Sequence, residues 1–183
     1  MKHLLLIFLS AVLLSSSCKK NMQNPIDQLP PETQTGANTF GCLVNGQVFK
    51  PGGAQLSGGS LQCNYQFLNG SYYFILSGRN RSGTNPLTSV NLYTDSLPIT
   101  QGLKLVLKNR INGTASGRYF GPESDINLAT YLTNDNLFTG ELWIKKLDTI
   151  NQIVSGTFWY DAVNNNSQKV EIREGRFDMR YTR

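Results

Sequence analysis

Histidine is the scarcest reactive residue in this chain of 183 residues, which contains only His3. We expect His3 to be removed with an N-terminal leader, so the mature protein would contain no imidazole. This absence excludes serine-histidine and cysteine-histidine catalysis, and it excludes histidine-ligated zinc, iron or copper. An enzyme would have to be built from other side chains, and we predict no catalytic residues, no metal site and no cofactor.

Charge is also scarce, since only 16% of the residues are charged and the formal net charge is +5. The C-terminal basic residues Lys169, Arg173 and Arg176 are interleaved with Glu171 and Glu174, which favours ion pairs across strands over a phosphate-binding stripe. We expect no nucleic-acid partner. With 39% hydrophobic residues and no later run long enough to span a bilayer, the chain indicates one globular domain.

The N-terminus has the pattern of an export signal. Lys2 precedes the apolar segment Leu4–Leu14, which is too short to cross a bilayer. Three serines then lead directly to Cys18, and this order resembles the lipobox of bacterial lipoproteins. The resemblance implies cleavage of residues 1–17 and acylation of Cys18, so membrane lipid is an expected partner. The alternative is an ordinary signal cleaved near the serines, which would leave Cys18 as a free thiol.

Residues 18–38 follow as an expected flexible tether. This segment contains Pro25, Pro30 and Pro31 among polar residues, with too few apolar side chains to form a core. The sequence therefore predicts a folded domain over residues 39–183. Its expected location is the cell envelope, anchored to a bacterial membrane, with the outer membrane favoured and the domain facing either the periplasm or the surface.

The domain is predicted to be all-β. Three pairs, Asn45–Gly46, Asn69–Gly70 and Asn112–Gly113, lie between β-prone segments and favour the type I′ turns of hairpins. Apolar and polar residues alternate over Leu61–Phe67 and again over Arg176–Tyr181, as in half-buried strands. We expect an antiparallel β-sandwich of nine to eleven strands, one of them over residues 126–132, and a closed β-barrel is the alternative.

Cysteine is rare, and Cys42 and Cys63 remain once Cys18 is assigned to the lipid. Both thiols share a strand face with apolar neighbours, so both are expected to point into the core. In an oxidising compartment the sequence predicts a disulfide between them, closing a loop of about 20 residues for about 3 kcal/mol. Two buried, unpaired thiols are the alternative.

Three short segments carry a family resemblance. Thr39–Gly46, Val154–Phe158 and Gly175–Asp178 resemble the uncharacterised lipoproteins of Bacteroidetes-type bacteria that carry a domain of unknown function. The resemblance implies a small, secreted, lipid-anchored all-β protein. The triplets containing Ser96 and Thr149 also resemble the O-glycosylation signal of such bacteria, with ordinary turn residues as the alternative.

Two tryptophans provide the main candidate binding site. Trp143 and Trp159 have the opposite parity to their apolar neighbours, so in a hairpin they lie opposite or diagonal on one face. Such indoles, with Glu141 and Thr157 beside them, would offer a platform for a sugar ring. The alternative is that a second sheet or the tether covers this face.

These observations favour a noncatalytic binding or accessory role at the envelope, with a carbohydrate or an envelope protein as partner. A structural or assembly role is the first alternative. A glycoside hydrolase built from two carboxylates is the second. Five of the acidic residues are candidates for this pair of carboxylates: Glu123, Asp125, Asp135, Glu141 and Asp161.

Overall fold

A computed structural model of the chain describes residues 24–53, 58–81, 86–135 and 137–183. The predicted leader, Cys18 and the start of the tether lie outside the described residues. The described chain is all-β, which confirms the predicted fold class. Its strands are β1 (Thr39–Val44), β2 (Gln47–Phe49), β3 (Gly52–Gly53), β4 (Leu61–Leu68), β5 (Ser71–Arg81), β6 (Thr88–Asp95), β7 (Lys104–Leu107), β8 (Thr114–Phe120), β9 (Thr130–Leu132), β10 (Gly140–Asp148), β11 (Ile153–Val163) and β12 (Lys169–Arg180).

Within the described residues, helical structure is limited to a 3-10 turn at Pro25–Gln28 and one short α-helix, α1, at Ile126–Ala129. No helix in the described part of the chain is long and apolar enough to cross a membrane. The expected strand over residues 126–132 is therefore only partly correct. The Asp125 side chain accepts a hydrogen bond from the N–H of Asn127 and caps α1, and the strand begins after it, at Thr130.

Two of the three predicted hairpin turns are confirmed. Asn45–Gly46 joins β1 to β2 and Asn69–Gly70 joins β4 to β5, and all four residues have positive φ. The third prediction is wrong. At Asn112–Gly113 only the glycine has positive φ, and the strands on either side, β7 and β8, pair in parallel. The N–H of Gly113 instead donates to the carbonyl of Asp95 and so starts β8 beside β6.

The strands form one mixed sheet of twelve strands in the order β2-β1-β12-β11-β10-β7-β8-β6-β5-β3. β4 adds to β5, while β9 pairs with both β8 and β11. Most pairs are antiparallel, and the exceptions are β3 with β5 and β7 with β8. The strand number exceeds the expected range of nine to eleven by one, and β3, a pair of glycines, is a strand that alternation does not reveal.

The sheet folds over so that two layers face each other, as in a sandwich. A Cβ added to Gly117 of β8 would lie 2.9 Å from the ring of Tyr160 in β11, so only glycine allows this approach. At the other end a Cβ on Gly78 of β5 would lie 2.8 Å from the ring of Phe40 in β1. The outer faces of β8 and β11 therefore point away from each other, on opposite sides of the core.

In the described part of the chain, one apolar cluster fills the space between the layers. The predicted alternation is confirmed at Cys63 and Tyr65 in β4 and at Phe177, Met179 and Tyr181 at the C-terminus, all of which are buried. The buried aromatic rings meet across the layers, since the rings of Phe74 and Phe177 have centroids 6.4 Å apart. Burial of each large apolar side chain contributes about 1.5–3 kcal/mol, so this cluster is the main source of stability.

The segment of residues 24–38 is packed on the domain, so the tether prediction is wrong over this range. Leu29 is buried, and Asp178 of β12 anchors the part that follows it. The Asp178 carboxylate accepts five hydrogen bonds, from the hydroxyls of Thr33 and Thr35 and from the backbone N–H groups of Thr35, Gly36 and Ala37. The ordered domain therefore includes residues from Asn24 onward.

The predicted disulfide is wrong, because Cys42 and Cys63 are both free thiols. The predicted direction of the side chains is correct, since both are buried. The two strands that carry them do not pair, as β1 lies between β2 and β12 while β4 pairs with β5. Burial raises the pKa of both thiols far above the usual value, which disfavours the reactive thiolate form in the folded protein.

Candidate functional site

The candidate site lies on the outer face of the hairpin formed by β10 and β11. In this hairpin Trp143 pairs with Thr157 and Glu141 pairs with Trp159. The two indoles are therefore diagonal neighbours on one face, as the parity of the sequence predicted. Trp159 is 43% exposed and Trp143 is half-buried.

Trp159 borders a cavity of about 320 Å³. Glu141 and Thr157 also line this cavity, so three of the four predicted site residues meet there. The remaining lining residues are Glu32, Lys145, Phe158, Arg173, Glu174, Gly175 and Arg176. Acidic and basic side chains are equal in number in this lining, so the cavity has polar groups of both signs and no net charge.

Two β-bulges shape this cavity. On β12, Arg173 and Glu174 both lie opposite the single residue Trp159, because the register shifts between Phe158 and Tyr160 of β11. Glu174 has a φ of 54°, as expected where a strand bends sharply. On β10 the register shifts around Lys145. A bulge turns side chains out of the regular alternation, and here both bulges turn charged groups toward the same space.

Trp143 is partly covered by charged side chains. The Lys104 and Lys145 ammonium groups lie 4.7 and 4.8 Å from the centre of its ring. Lys145 also forms an ion pair with Glu32, which belongs to the docked N-terminal segment. The predicted platform of two open indoles is therefore reduced to one, because the segment expected to be a tether reaches across to Lys145.

Trp159 remains exposed, but the Arg173 side chain packs against one side of its ring. The Arg173 guanidinium lies 5.5 Å from the centre of the Trp159 ring, and it forms an ion pair of 2.6 Å with Asp161. Lys169 lies 3.2 Å from the Asp161 carboxylate and 2.8 Å from that of Glu171. These contacts raise the pKa of Lys169 and lower that of Glu171. The predicted pairing of C-terminal basic residues with acids is confirmed for Lys169, Arg173 and Arg176, whereas Arg180 and Arg183 donate to backbone carbonyls instead.

The carboxylates considered for hydrolysis are dispersed. Of these five, only Glu141 lines the cavity, where it lies 3.4 Å from Lys104. Asp161 belongs to the network around Arg173, Glu123 accepts a hydrogen bond from the Tyr131 hydroxyl, and Asp135 binds Asn109. Asp125 caps α1. Within the described ranges no three metal-ligating side chains come together.

The two predicted glycosylation residues lie in turns. Ser96 follows β6 with a φ of 51°, and its hydroxyl lies 2.9 Å from that of Tyr73. Thr149 is exposed in the turn between β10 and β11, and its carbonyl accepts a hydrogen bond from Arg183. Of the two hydroxyls, that of Ser96 has a protein partner.

Several cavity residues were not predicted from the sequence. The register between β11 and β12 brings Arg173, Glu174 and Arg176 to the cavity. Docking of the N-terminal segment adds Glu32. The nearest signal was the alternation of charges after Lys169, which we interpreted only as surface ion pairs.

No protein-family model matches the chain, and neither a curated protein nor a solved structure is significantly similar to it. The function of the site is therefore inferred from its geometry alone.

Proposed function

We propose that this protein is a lipid-anchored protein of the bacterial cell envelope whose β domain binds carbohydrate without chemically changing it. The observation that carries the proposal is the exposed indole of Trp159 at the edge of a polar cavity that also contains Glu141 and Thr157. Tryptophan combines a flat apolar face with a polar edge, which suits a surface that contacts both the C–H groups of a sugar and water.

The lining of the cavity supports a neutral saccharide. Sugar hydroxyls donate and accept hydrogen bonds, so they match a lining that contains both carboxylates and cationic groups. The cations are already neutralised, since Arg176 lies 3.5 Å from Glu174 and Lys145 is paired with Glu32. A charged ligand would have to compete with these pairs, whereas a hydroxyl can join them.

The anchor is proposed to be an acylated Cys18. Five residues separate Cys18 from Asn24, the first described residue, and a fully extended chain covers at most about 3.6 Å per residue. The domain would therefore remain within about 20 Å of the bilayer surface. Mass spectrometry of the N-terminal peptide tests the anchor, because an unmodified Cys18 or a retained Ser17 would contradict it.

Binding is tested with the full-length protein extracted from membranes in detergent. We expect it to bind neutral oligosaccharides on a glycan array, and we expect Trp159→Ala to reduce the affinity at least tenfold in calorimetry. Tyr72→Ala is the matched control, because Tyr72 is 41% exposed but lies away from the cavity. Equal sugar binding by the Trp159→Ala variant would refute the proposed site.

An assembly role is the second candidate, and one surface favours it. A concavity of about 760 Å³ at one end of the sandwich is lined by aromatic side chains, including Phe67, Tyr72 and Tyr181. Phe67 is 60% exposed there, and large exposed apolar patches are typical of protein interfaces. If this role is correct, Phe67→Asp should release a protein that otherwise crosslinks to the chain in intact membranes.

A further inference from the structure

A second concave surface lies on the opposite side of the core from the Trp159 cavity. It consists of two adjoining hollows of about 320 and 460 Å³ on the outer face of β5, β6, β8 and β9. Tyr93 and Arg118 line both hollows and form the wall between them. We call this surface the Arg118 groove.

Two guanidinium groups pack against the ring of Tyr93 in this groove. Those of Arg110 and Arg118 lie 4.4 and 5.6 Å from the ring centre. Arg110 also has an ionic partner, since its Nε lies 3.5 Å from the Asp95 carboxylate. Stacking on an aromatic ring fixes the plane of a guanidinium and leaves its N–H edge free to bind a ligand.

Arg118 has no such partner. Among the described residues no carboxylate lies within 4.0 Å of its guanidinium, and its buried Nε has no hydrogen-bond partner. Buried N–H groups in folded proteins are nearly always bonded to protein, water or ligand. Arg118 lines both hollows, so the part of its guanidinium that faces them is available to an acceptor from outside the described chain.

The charge around the groove indicates what kind of acceptor this is. Arg79, Arg110 and Arg118 line the two hollows, and no Asp or Glu is present among the described lining residues. This contrasts with the Trp159 cavity, where acids and bases balance. A groove with cations and no lining acid favours an anion over a neutral ligand.

The floor of the groove is rigid and polar. The Asn91 side chain accepts a hydrogen bond of 2.6 Å from Ser77 and donates one of 2.9 Å to Ser89. All three residues are buried. The Asn91 amide also donates a hydrogen bond of 3.4 Å to the Arg118 carbonyl, so this network holds the backbone that carries Arg118.

From these contacts we infer that the Arg118 groove binds a small oxyanion group, either the carboxylate of an acidic sugar or a phosphate or sulfate group. The planar guanidinium of Arg118 donates two parallel hydrogen bonds to such a group, and Arg79, which has no ionic partner among the described residues, adds to the positive field. This site is separate from the proposed carbohydrate cavity and does not depend on it.

The test follows the arginine Nε–H signals of the full-length protein by ¹⁵N-resolved NMR. Sodium phosphate, sodium sulfate and sodium glucuronate are added separately, with sodium chloride at matched ionic strength as the reference. We expect the Arg118 signal to shift in a saturable manner with at least one of the three oxyanions and to remain unchanged with chloride. The probe that saturates at the lowest concentration identifies the type of oxyanion.

Variants separate a specific site from general attraction. Arg118→Gln should weaken binding of the best probe at least tenfold by calorimetry, and Arg118→Lys should restore only part of it. Arg180→Gln is the control, because Arg180 is exposed on β12 and lines neither the Arg118 groove nor the Trp159 cavity, and it should bind the probe normally. Unchanged affinity in both Arg118 variants, or an equal NMR shift with chloride, would overturn the inference. Loss of probe binding in Arg118→Gln with normal sugar binding at Trp159 would confirm two independent sites.

Discussion

Replacing Asp178 with alanine tests whether one carboxylate holds the N-terminal segment on the domain. The Asp178 side chain is fully buried, and each of its oxygens accepts hydrogen bonds from the segment, the shortest being 2.6 Å from the Thr33 hydroxyl and 2.7 Å from the Gly36 N–H. No cation lies within 4.0 Å of it among the described residues, so backbone N–H groups and hydroxyls alone stabilise its charge.

The magnitude follows from these contacts. A hydrogen bond to a charged group contributes about 1.5–3 kcal/mol, but the five are not additive because the segment can detach and regain water. The cost of Asp178→Ala is therefore limited by the free energy with which residues 29–38 dock. We expect a loss of about 2–4 kcal/mol in the free energy of unfolding, or about 5–15 °C in Tm for a domain of this size.

The same interaction predicts a dependence on pH. Burial by itself raises the pKa of Asp178, but the hydrogen bonds from Thr33, Thr35, Gly36 and Ala37 outweigh it, so its pKa lies below the usual value. A lowered pKa in the folded state means that the stabilisation is complete above the unfolded pKa of about 4. It is lost as the pH falls from about 5 through the folded pKa.

Urea denaturation between pH 7 and pH 2 measures both effects. The free energy of unfolding of the wild-type protein should fall below about pH 5. Asp178→Ala should have a lower free energy of unfolding at pH 7, and that free energy should decrease less between pH 5 and pH 2. Asp27→Ala is the control, since Asp27 is exposed in the 3-10 turn. Hydrogen exchange should show fast exchange at Gly36 in the Asp178 variant alone. An Asp178→Ala protein with normal stability and a protected Gly36 amide would refute the argument.

Three further variants or probes test the fold. Gly117→Ala should cost about 1–3 kcal/mol in urea denaturation, because the new methyl group meets the ring of Tyr160, and a neutral result would contradict the close approach of the layers. Thiol reagents should label neither Cys42 nor Cys63 in the native protein and both after unfolding without a reductant, whereas no labelling of the unfolded chain would indicate a disulfide. Asn69→Ala should cost about 1 kcal/mol, because alanine disfavours the positive φ of this turn, and an unchanged Tm would contradict it.

The parts of the fold that local patterns determine could be predicted from the sequence. Alternation identified the buried faces of β4 and β12, and two Asn–Gly pairs identified the turns from β1 to β2 and from β4 to β5, because both signals depend on neighbouring residues alone. The predicted disulfide failed for a different reason. Parity shows that Cys42 and Cys63 both point inward, but it does not show which strands pair, and β1 and β4 do not.

The tether prediction failed because composition does not reveal distant partners. Residues 29–38 are rich in polar side chains and proline, which indicates an unfolded segment when no partner is known. Their partner, Asp178, lies more than 140 positions away in sequence. Its strand alternation placed Asp178 on the outer face of β12, which is correct, but this outer face is buried by the segment.

The candidate site was predicted to the extent that it lies within one hairpin. Glu141, Thr157 and Trp159 come from β10 and β11, whose antiparallel pairing follows from the short turn between them. Arg173 and Glu174 reach the cavity through a bulge on β12, and a bulge has no signal in the alternation of residues. Arg173 and Glu174 could therefore be assigned to the site only from the structure.

Docking of the N-terminal segment also completes the Trp159 cavity. Glu32 lines the Trp159 cavity and pairs with Lys145, so the cavity is complete only while the segment is docked. Detachment of the segment would separate the Lys145 ammonium from the Glu32 carboxylate and would remove Glu32 from the lining of the cavity. Docking and sugar binding should therefore be thermodynamically linked, and each should strengthen the other by the same factor.

Asp178→Ala provides the test of this linkage, because Asp178 itself does not line the cavity. We expect the variant to bind the sugar selected on the glycan array more weakly, and we expect bound sugar to slow exchange of the Gly36 amide in the wild-type protein. Binding of the best oxyanion probe at the Arg118 groove should be unchanged, since that groove lies across the core from the segment. If Asp178→Ala releases the segment and sugar affinity stays normal, Glu32 is not part of the working site and the cavity is formed by the hairpin and β12 alone.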